Sequence, residues 1–244
     1  MDSLPTHRTP QSIPWAELSL GAVALAGLLL AANRIMPLSS TTTILAGALY
    51  AGFGVAVVAG LALSGSRFGP ADRVTLVRAV LVLFLASLAG TPEFLQAFAW
   101  PYALLCLLAL TMDGADGYVA RRTRTASPFG ARFDMELDAF FILVLCAALM
   151  FLGKTGPWVL LIGLMRYGFV MAGWCWTWLN APLPESFRRK TVCVWQLVTL
   201  MVALLPPAPD VFVHATLLVA LVLLAGSFAL DIRYLYRQRA TRRL

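Results

Sequence analysis

Runs of about twenty apolar residues recur along almost the whole chain, and they constrain its fold more than any other feature. A run of that length crosses the hydrocarbon core of a bilayer as an α-helix, the one single-segment structure that satisfies its own backbone hydrogen bonds there. Hydropathy places eight such spans at about 16–33, 41–64, 74–90, 98–118, 134–153, 157–180, 191–206 and 211–232. The chain is 60% hydrophobic and 13% charged, about half the charge that a soluble domain carries. The expectation is an all-α integral membrane protein with about eight transmembrane helices. Breaks between spans carry glycine or proline, at Pro37, Gly65 to Pro70, Gly90 to Pro92, Gly153 to Pro157, Pro182 to Pro184 and Pro206 to Pro209. The polar stretch MDSLPTHRTPQSIP is too poor in positive charge for a signal peptide, so the first span is expected to be retained.

Charge orients these spans. The net charge of +7 comes from 19 Lys and Arg against 12 Asp and Glu. The basic residues gather in alternate loops: Arg67 and Arg73, then Arg121, Arg122, Arg124 and Arg132, then Arg188, Arg189 and Lys190, then the tail from Arg233 to Arg243. The intervening loops hold only Arg34 and Lys154. The positive-inside rule therefore expects a multi-pass protein of the cytoplasmic (inner) membrane, with the basic loops and both termini in the cytoplasm. The basic excess then reads as topology plus contact with anionic lipid or phosphate, with no nucleic acid partner. Cys106, Cys146, Cys175 and Cys193 lie in apolar runs without C-x-x-C spacing, and read as packing thiols.

One stretch breaks the apolar pattern. DGADGYVARRTRTASPFGARFDMELD, from Asp113 to Asp138, sits between two spans, on the side assigned to the cytoplasm. Asp113, Asp116, Gly117, Ala120 and Arg121 follow at i, i+3, i+4, i+7 and i+8, so they share one helical face if the fourth span continues through them. Asp134 and Asp138 are one turn apart at the start of the next helix. Ser127-Pro128-Phe129-Gly130 lets the chain turn back between them. Two helices thus aim two carboxylates each at one volume. Such oxygen-only sets suit hard divalent cations, Mg²⁺ or Mn²⁺. Gly117, Ala120 and Gly130 leave that face without bulk, and Arg121 adds a bidentate partner for phosphate. A loop that only marks topology would need arginines but not acids at helical spacing.

The pattern D-x2-D-G-x2-A-R-x8-G-x3-D-x3-D, matched here at every specified position, resembles the signature of the CDP-alcohol phosphotransferases. Eight matches by accident have a probability of about 10⁻⁹ from composition alone. The resemblance extends over about residues 70 to 235, with a polar lead-in segment ADRVTLVRA and a later RRKT run. It implies a six-helix catalytic core within residues 70–244, usually homodimeric, preceded by a tail and accessory transmembrane hairpin in residues 1–69. It implies transfer of a phosphatidyl-type group from a CDP-activated lipid, usually CDP-diacylglycerol, to an alcohol, releasing CMP. By motif position Asp113, Asp116 and Asp134 resemble metal ligands. Asp138 resembles the general base and a further ligand of a two-metal site. Gly117, Ala120, Arg121 and Gly130 resemble nucleotide and diphosphate contacts.

Other polar residues are read against plainer roles. Arg166, in the middle of an apolar span, is expected to contact the acceptor rather than form a structural ion pair. Arg188, Arg189 and Lys190 are weighed between acceptor phosphate and a topology signal. Thr75 and Arg78 are weighed between the nucleotide and a helix-start, snorkelling role. Trp174, Trp176 and Trp178 read as interfacial anchors, and His214 as non-catalytic. The basic residues favour a phosphorylated acceptor such as glycerol 3-phosphate, with inositol-type or unphosphorylated alcohols as the alternative. The G-K-x-K-T run usual in glycerol-phosphate enzymes is replaced by Phe187-Arg188-Arg189-Lys190-Thr191. A cation transporter would spread its acids through the membrane depth, whereas here, apart from Asp231 near the last cytoplasmic end, the helix interiors are nearly free of acids and the cluster lies at one surface. An inactive scaffold would be expected to lack one of the aspartates.

Overall fold

The computed structural model describes residues 13–123, 127–184 and 186–241, without the side chains of 115–121, 123, 240 and 241. Every regular element among them is helical: α1 (Trp15–Ile35), α2 (Ser40–Ser64), α3 (Pro70–Leu88), α4 (Pro92–Ala97), α5 (Ala99–Thr123), α6 (Pro128–Phe151), α7 (Leu160–Cys175), α8 (Phe187–Leu204) and α9 (Asp210–Thr241). Each predicted span maps to one long helix, except that 157–180 takes in α7 with a 3₁₀ turn on either side, and the short α4 is an addition. Among the described residues, four stretches are long and apolar enough to cross a membrane by length and composition: Trp15–Ile35, Ser40–Ser64, Pro157–Cys175 and Asp210–Arg239. The other four predicted spans lie on α3, α5, α6 and α8, each of which carries charged residues at one end.

The chain divides into two units, the first made of residues 1–84 with 109–136, the second of 85–108 with 137–244. In the first, Ser39 caps α2 by accepting the Thr42 N–H at 3.1 Å. Gly65 ends that helix in the left-handed region, φ 64°, where a side chain would be strained. The Tyr50 hydroxyl donates to the Leu18 carbonyl, joining α2 to α1. Leu18, Val57, Leu61, Leu76 and Phe129 form a buried cluster, with Phe53, Phe68 and Phe133 packed against it. Phe129 and Phe133 stack with centroids 5.6 Å apart. A Cβ on Gly60 would lie 2.9 Å from the Phe129 ring, so α2 approaches the first turn of α6 closely. The two N-terminal helices therefore pack on the segment that carries the acidic motif.

The second unit is held by close backbone approach and a few buried polar contacts, as expected where apolar surface alone gives helices no preference for one another. A Cβ on Gly163 would lie 2.7 Å from the Leu143 Cα, so α7 and α6 nearly touch. The Tyr102 hydroxyl donates to the Leu85 carbonyl at 3.1 Å. The predicted span 157–180 is shorter in the structure. It opens on a 3₁₀ turn at Pro157–Val159 and ends at Cys175, and a second 3₁₀ turn, Thr177–Asn180, follows. The Asn180 amide donates to the Gly173 carbonyl at 2.9 Å across that end. Cys106 and Cys146 are buried packing thiols as expected, but Cys175, the last residue of α7, is exposed. Lys154, between α6 and α7, donates to the carbonyls of Ala203 at 2.9 Å and Leu205 at 2.6 Å, capping the end of α8. Burial pushes its ammonium pKa down, while the charge of Asp210 opposes the shift.

Candidate active site

The acidic motif is helical where its spacing predicts. α5 continues from its apolar part to Thr123. α6 begins at Pro128, with Ser127 Oγ accepting the Gly130 N–H at 2.9 Å. Proline in the first turn with a serine just before it starts a helix firmly. Asp134 and Asp138 follow on consecutive turns of α6.

A residue of α3 completes the arrangement. Arg78 Nη1 donates to Asp113 Oδ1, and its Nη2 donates to Asp134 Oδ1 at 2.7 Å. The arginine side chain is 2% exposed, whereas the two carboxylates are 37% and 38% exposed. The guanidinium is thus packed in the interior, and the two carboxylates it bonds are the more exposed partners. Two helices, each presenting an anion, are locked in register by one planar cation from a third. Neither role weighed for Arg78 from sequence describes this.

Asp113, Asp134 and Asp138 each offer one carboxylate oxygen within 4.8 Å of the others, and all three are half-buried. The set holds no histidine or cysteine. Partly open carboxylate oxygens at such separations fit a hard divalent cation. Asp116, Gly117, Ala120 and Arg121 lie on α5, but their side chains are outside the described residues.

Two of the residues expected to meet the acceptor, Arg188 and Arg189, have partners within the chain. Arg188, in the first turn of α8, donates to the Ser227 carbonyl at 2.6 Å, its hydroxyl at 2.7 Å and Asp231 Oδ1 at 2.5 Å. Arg189 lies 3.7 Å from Asp231 Oδ2 and donates to the Pro184 carbonyl. Lys190 is exposed beside them, and Arg166 is half-buried midway along α7. Trp178 stacks edge-on with Tyr236 and lies under the Arg239 guanidinium, 5.9 Å from its ring centre. Sequence reasoning missed the pairing partners Arg78 and Asp231. The signal available for Arg78 was the row Asp72, Thr75 and Arg78, which puts polar groups three residues apart along one face of a mostly apolar helix.

The pattern of the CDP-alcohol phosphatidyltransferases matches residues 68–227, about two thirds of the chain. The chain belongs to the CDP-alcohol phosphatidyltransferase family. Human ethanolaminephosphotransferase 1 is 33% identical over 78 residues, 29% of this chain and 20% of that protein. The mouse protein of the same name is 33% identical over 96 residues, 35% of this chain and 24% of that protein. The match thus spans about a quarter or less of the length of these curated relatives. No solved structure matches. Within the family match lie Arg78, all four motif aspartates and the Arg188 cluster as far as Ser227, while α1 and α2 fall outside it.

Proposed function

We propose that this chain transfers a substituted phosphate group from a CDP-linked donor to an alcohol and releases CMP, with Mg²⁺ or Mn²⁺ held by Asp113, Asp116, Asp134 and Asp138. The observation that carries the reading is the convergence of carboxylate oxygens from Asp113, Asp134 and Asp138, within a stretch matched by the family. When bound, divalent cations supply Lewis-acid stabilisation of charge on the diphosphate oxygens. Arg78 keeps two ligands oriented and offsets their mutual repulsion, so the site need not rearrange when it loads. By motif position Arg121 is assigned to the phosphate oxygens, and Gly117 and Ala120 to the nucleotide. Asp138 takes the proton of the acceptor hydroxyl at a carboxylate oxygen as that hydroxyl bonds to phosphorus and the bond from phosphorus to CMP breaks. The enzyme would sit in the cytoplasmic membrane as a homodimer, site and termini facing the cytoplasm.

In the first substrate reading, CDP-diacylglycerol donates a phosphatidyl group to a phosphorylated polyol such as glycerol 3-phosphate, met by Arg166, Arg188, Arg189 and Lys190. Two observations favour a second reading, in which a phosphoalkyl group leaves a CDP-linked small alcohol for a lipid hydroxyl. Asp231 already offsets the charge of Arg188 and Arg189, and the relatives are named ethanolaminephosphotransferases. Purified protein in lipid nanodiscs, offered CDP-diacylglycerol with glycerol 3-phosphate or CDP-ethanolamine with diacylglycerol, separates the two through CMP release. Release that needs neither Mg²⁺ nor Mn²⁺, or that requires Zn²⁺, would sink the metal assignment.

A further inference from the structure

The glycine of the motif at position 130 has an unexpected neighbour. A Cβ built on Gly130 would lie 2.6 Å from Asp72 Oδ1 and 3.2 Å from Ser127 Oγ. Real side chains do not approach that closely, so one of the groups would have to move. Asp72 has little room to do so. It is 2% exposed, and its other oxygen, Oδ2, accepts the Gly69 N–H at 2.7 Å. That bond closes the first turn of α3, where three N–H groups otherwise lack partners. Ser127 is fixed too, since its Oγ caps the start of α6 through the Gly130 N–H. The space above the Gly130 Cα is therefore filled by a carboxylate anchored on a different helix.

We propose that Asp72 is a positioning residue for the active site, and that Gly130 is glycine so that the first turn of α6 can seat against it. The geometry continues one turn further along both helices. α3 meets α6 at two levels: Asp72 against Gly130, then Arg78 bonded to Asp134. On α3 the levels are six residues apart, about 9 Å of rise, and on α6 four residues apart, about 6 Å. The long Arg78 side chain spans the difference. If the lower level is pushed apart, Asp134 and Asp138 shift with the helix that carries both, and the Arg78 fork no longer matches. This use of Gly130 replaces a direct nucleotide contact. It rests on the proposed metal site only for its effect on function, because the steric fit stands without it.

The test is a double-mutant cycle on the full chain in nanodiscs, read by thermal unfolding, by Mn²⁺ binding from electron paramagnetic resonance without substrate, and by kinetics of CMP release. Gly130→Ala alone should lower the unfolding midpoint, weaken Mn²⁺ binding and cut kcat by about tenfold or more, as misplacement near 1 Å can. Shortening the neighbour should make room. In the Asp72→Ala or Asp72→Ser background, adding Gly130→Ala should change each readout by less than about twofold, a coupling expected only of groups in contact. Asp72→Asn keeps the volume and should give no such relief. Asp72→Ser serves if Asp72→Ala fails to fold, because its hydroxyl can still meet Gly69. Equal damage from Gly130→Ala in every background, with a raised donor KM and unchanged Mn²⁺ binding, would overturn the proposal and restore a nucleotide contact. So would a harmless Gly130→Ala. If wild-type protein binds no Mn²⁺, the metal reading falls, while coupling in the unfolding midpoint still decides the role of Asp72.

Discussion

Among the described residues, one arginine–aspartate cluster in each unit can be compared, and the two are built in opposite senses. In the first, the arginine is the buried partner: Arg78 is 2% exposed and its aspartates 37% and 38%. In the second, the acid is buried: Asp231 is 12% exposed, and Arg188 and Arg189 are 33% and 30%. A buried charge with a half-exposed partner costs desolvation that only good hydrogen-bond geometry offsets. It is therefore a support, and the more exposed partner it holds is the group left to act. The first cluster presents anions, suited to cations. The second presents cations, suited to anions such as phosphate or lipid headgroups. The same pair of residue types has been used twice, with support and tool exchanged.

The largest effect should come from the presented group with a chemical task. Asp138→Asn should lower the rate of CMP release by roughly 10²–10⁴-fold, the usual range for a lost general base, and excess Mn²⁺ should not restore it. Asp113→Asn should regain part of its activity at high Mn²⁺, because it loses a ligand. A Mn²⁺ titration of both variants sharpens the first half of the comparison. Full rescue of Asp138→Asn would make it only a ligand, with Glu136 the nearest other acid to examine as the base.

Removing the support should cost nearly as much. Arg78→Ala leaves two anions facing one another, so Mn²⁺ affinity and kcat should both fall, kcat by about 10²-fold. Arg78→Lys keeps the charge but cannot fork to two oxygens, and it should remain impaired. If lysine restores full activity, charge alone matters and the register argument fails.

A milder loss is expected in the second cluster. Asp231→Asn keeps the shape but frees the charge of Arg188 and Arg189, so the effect should be on KM, by about three- to tenfold, with kcat nearly unchanged. Tighter use of a phosphorylated acceptor would support the first substrate reading. A collapse of kcat like that of Arg78→Ala would break the contrast between the clusters.

The smallest effect belongs to a third pair that supports neither. Arg73 and Glu17 lie 2.8 Å apart, with the arginine 61% exposed. Arg73→Gln should change stability by less than about 0.5 kcal/mol, measured as the shift in unfolding midpoint.

The contrast also marks what the sequence reveals. Apolar length located every long helix, since a bilayer demands about twenty such residues whatever follows them. The acidic residues were legible because helical spacing puts them on common faces before any packing is known. The partners of those residues were not. Arg78 lies thirty-five positions before Asp113 and Asp231 forty-three after Arg188, and periodicity within one helix carries no record of which helix lies beside it. The stop of α7 at Cys175 was hidden for another reason. Tryptophan and leucine continue the apolar run through the 3₁₀ turn, so hydropathy changes little where the backbone does.

Lys154 has a consequence for how the chain is assembled. Membrane helices enter the bilayer one after another as they are synthesised, and topology responds to the charges then present. On the proposed orientation Lys154 is carried to the far side before α8 has been made, as a bare cation with no carbonyls to meet. When α8 arrives, its last carbonyls close on that ammonium. A charge that is a burden during insertion becomes a latch after it. On that orientation, the order of synthesis sets when the Lys154 contacts can form: not before the residue at 205 has reached the far side.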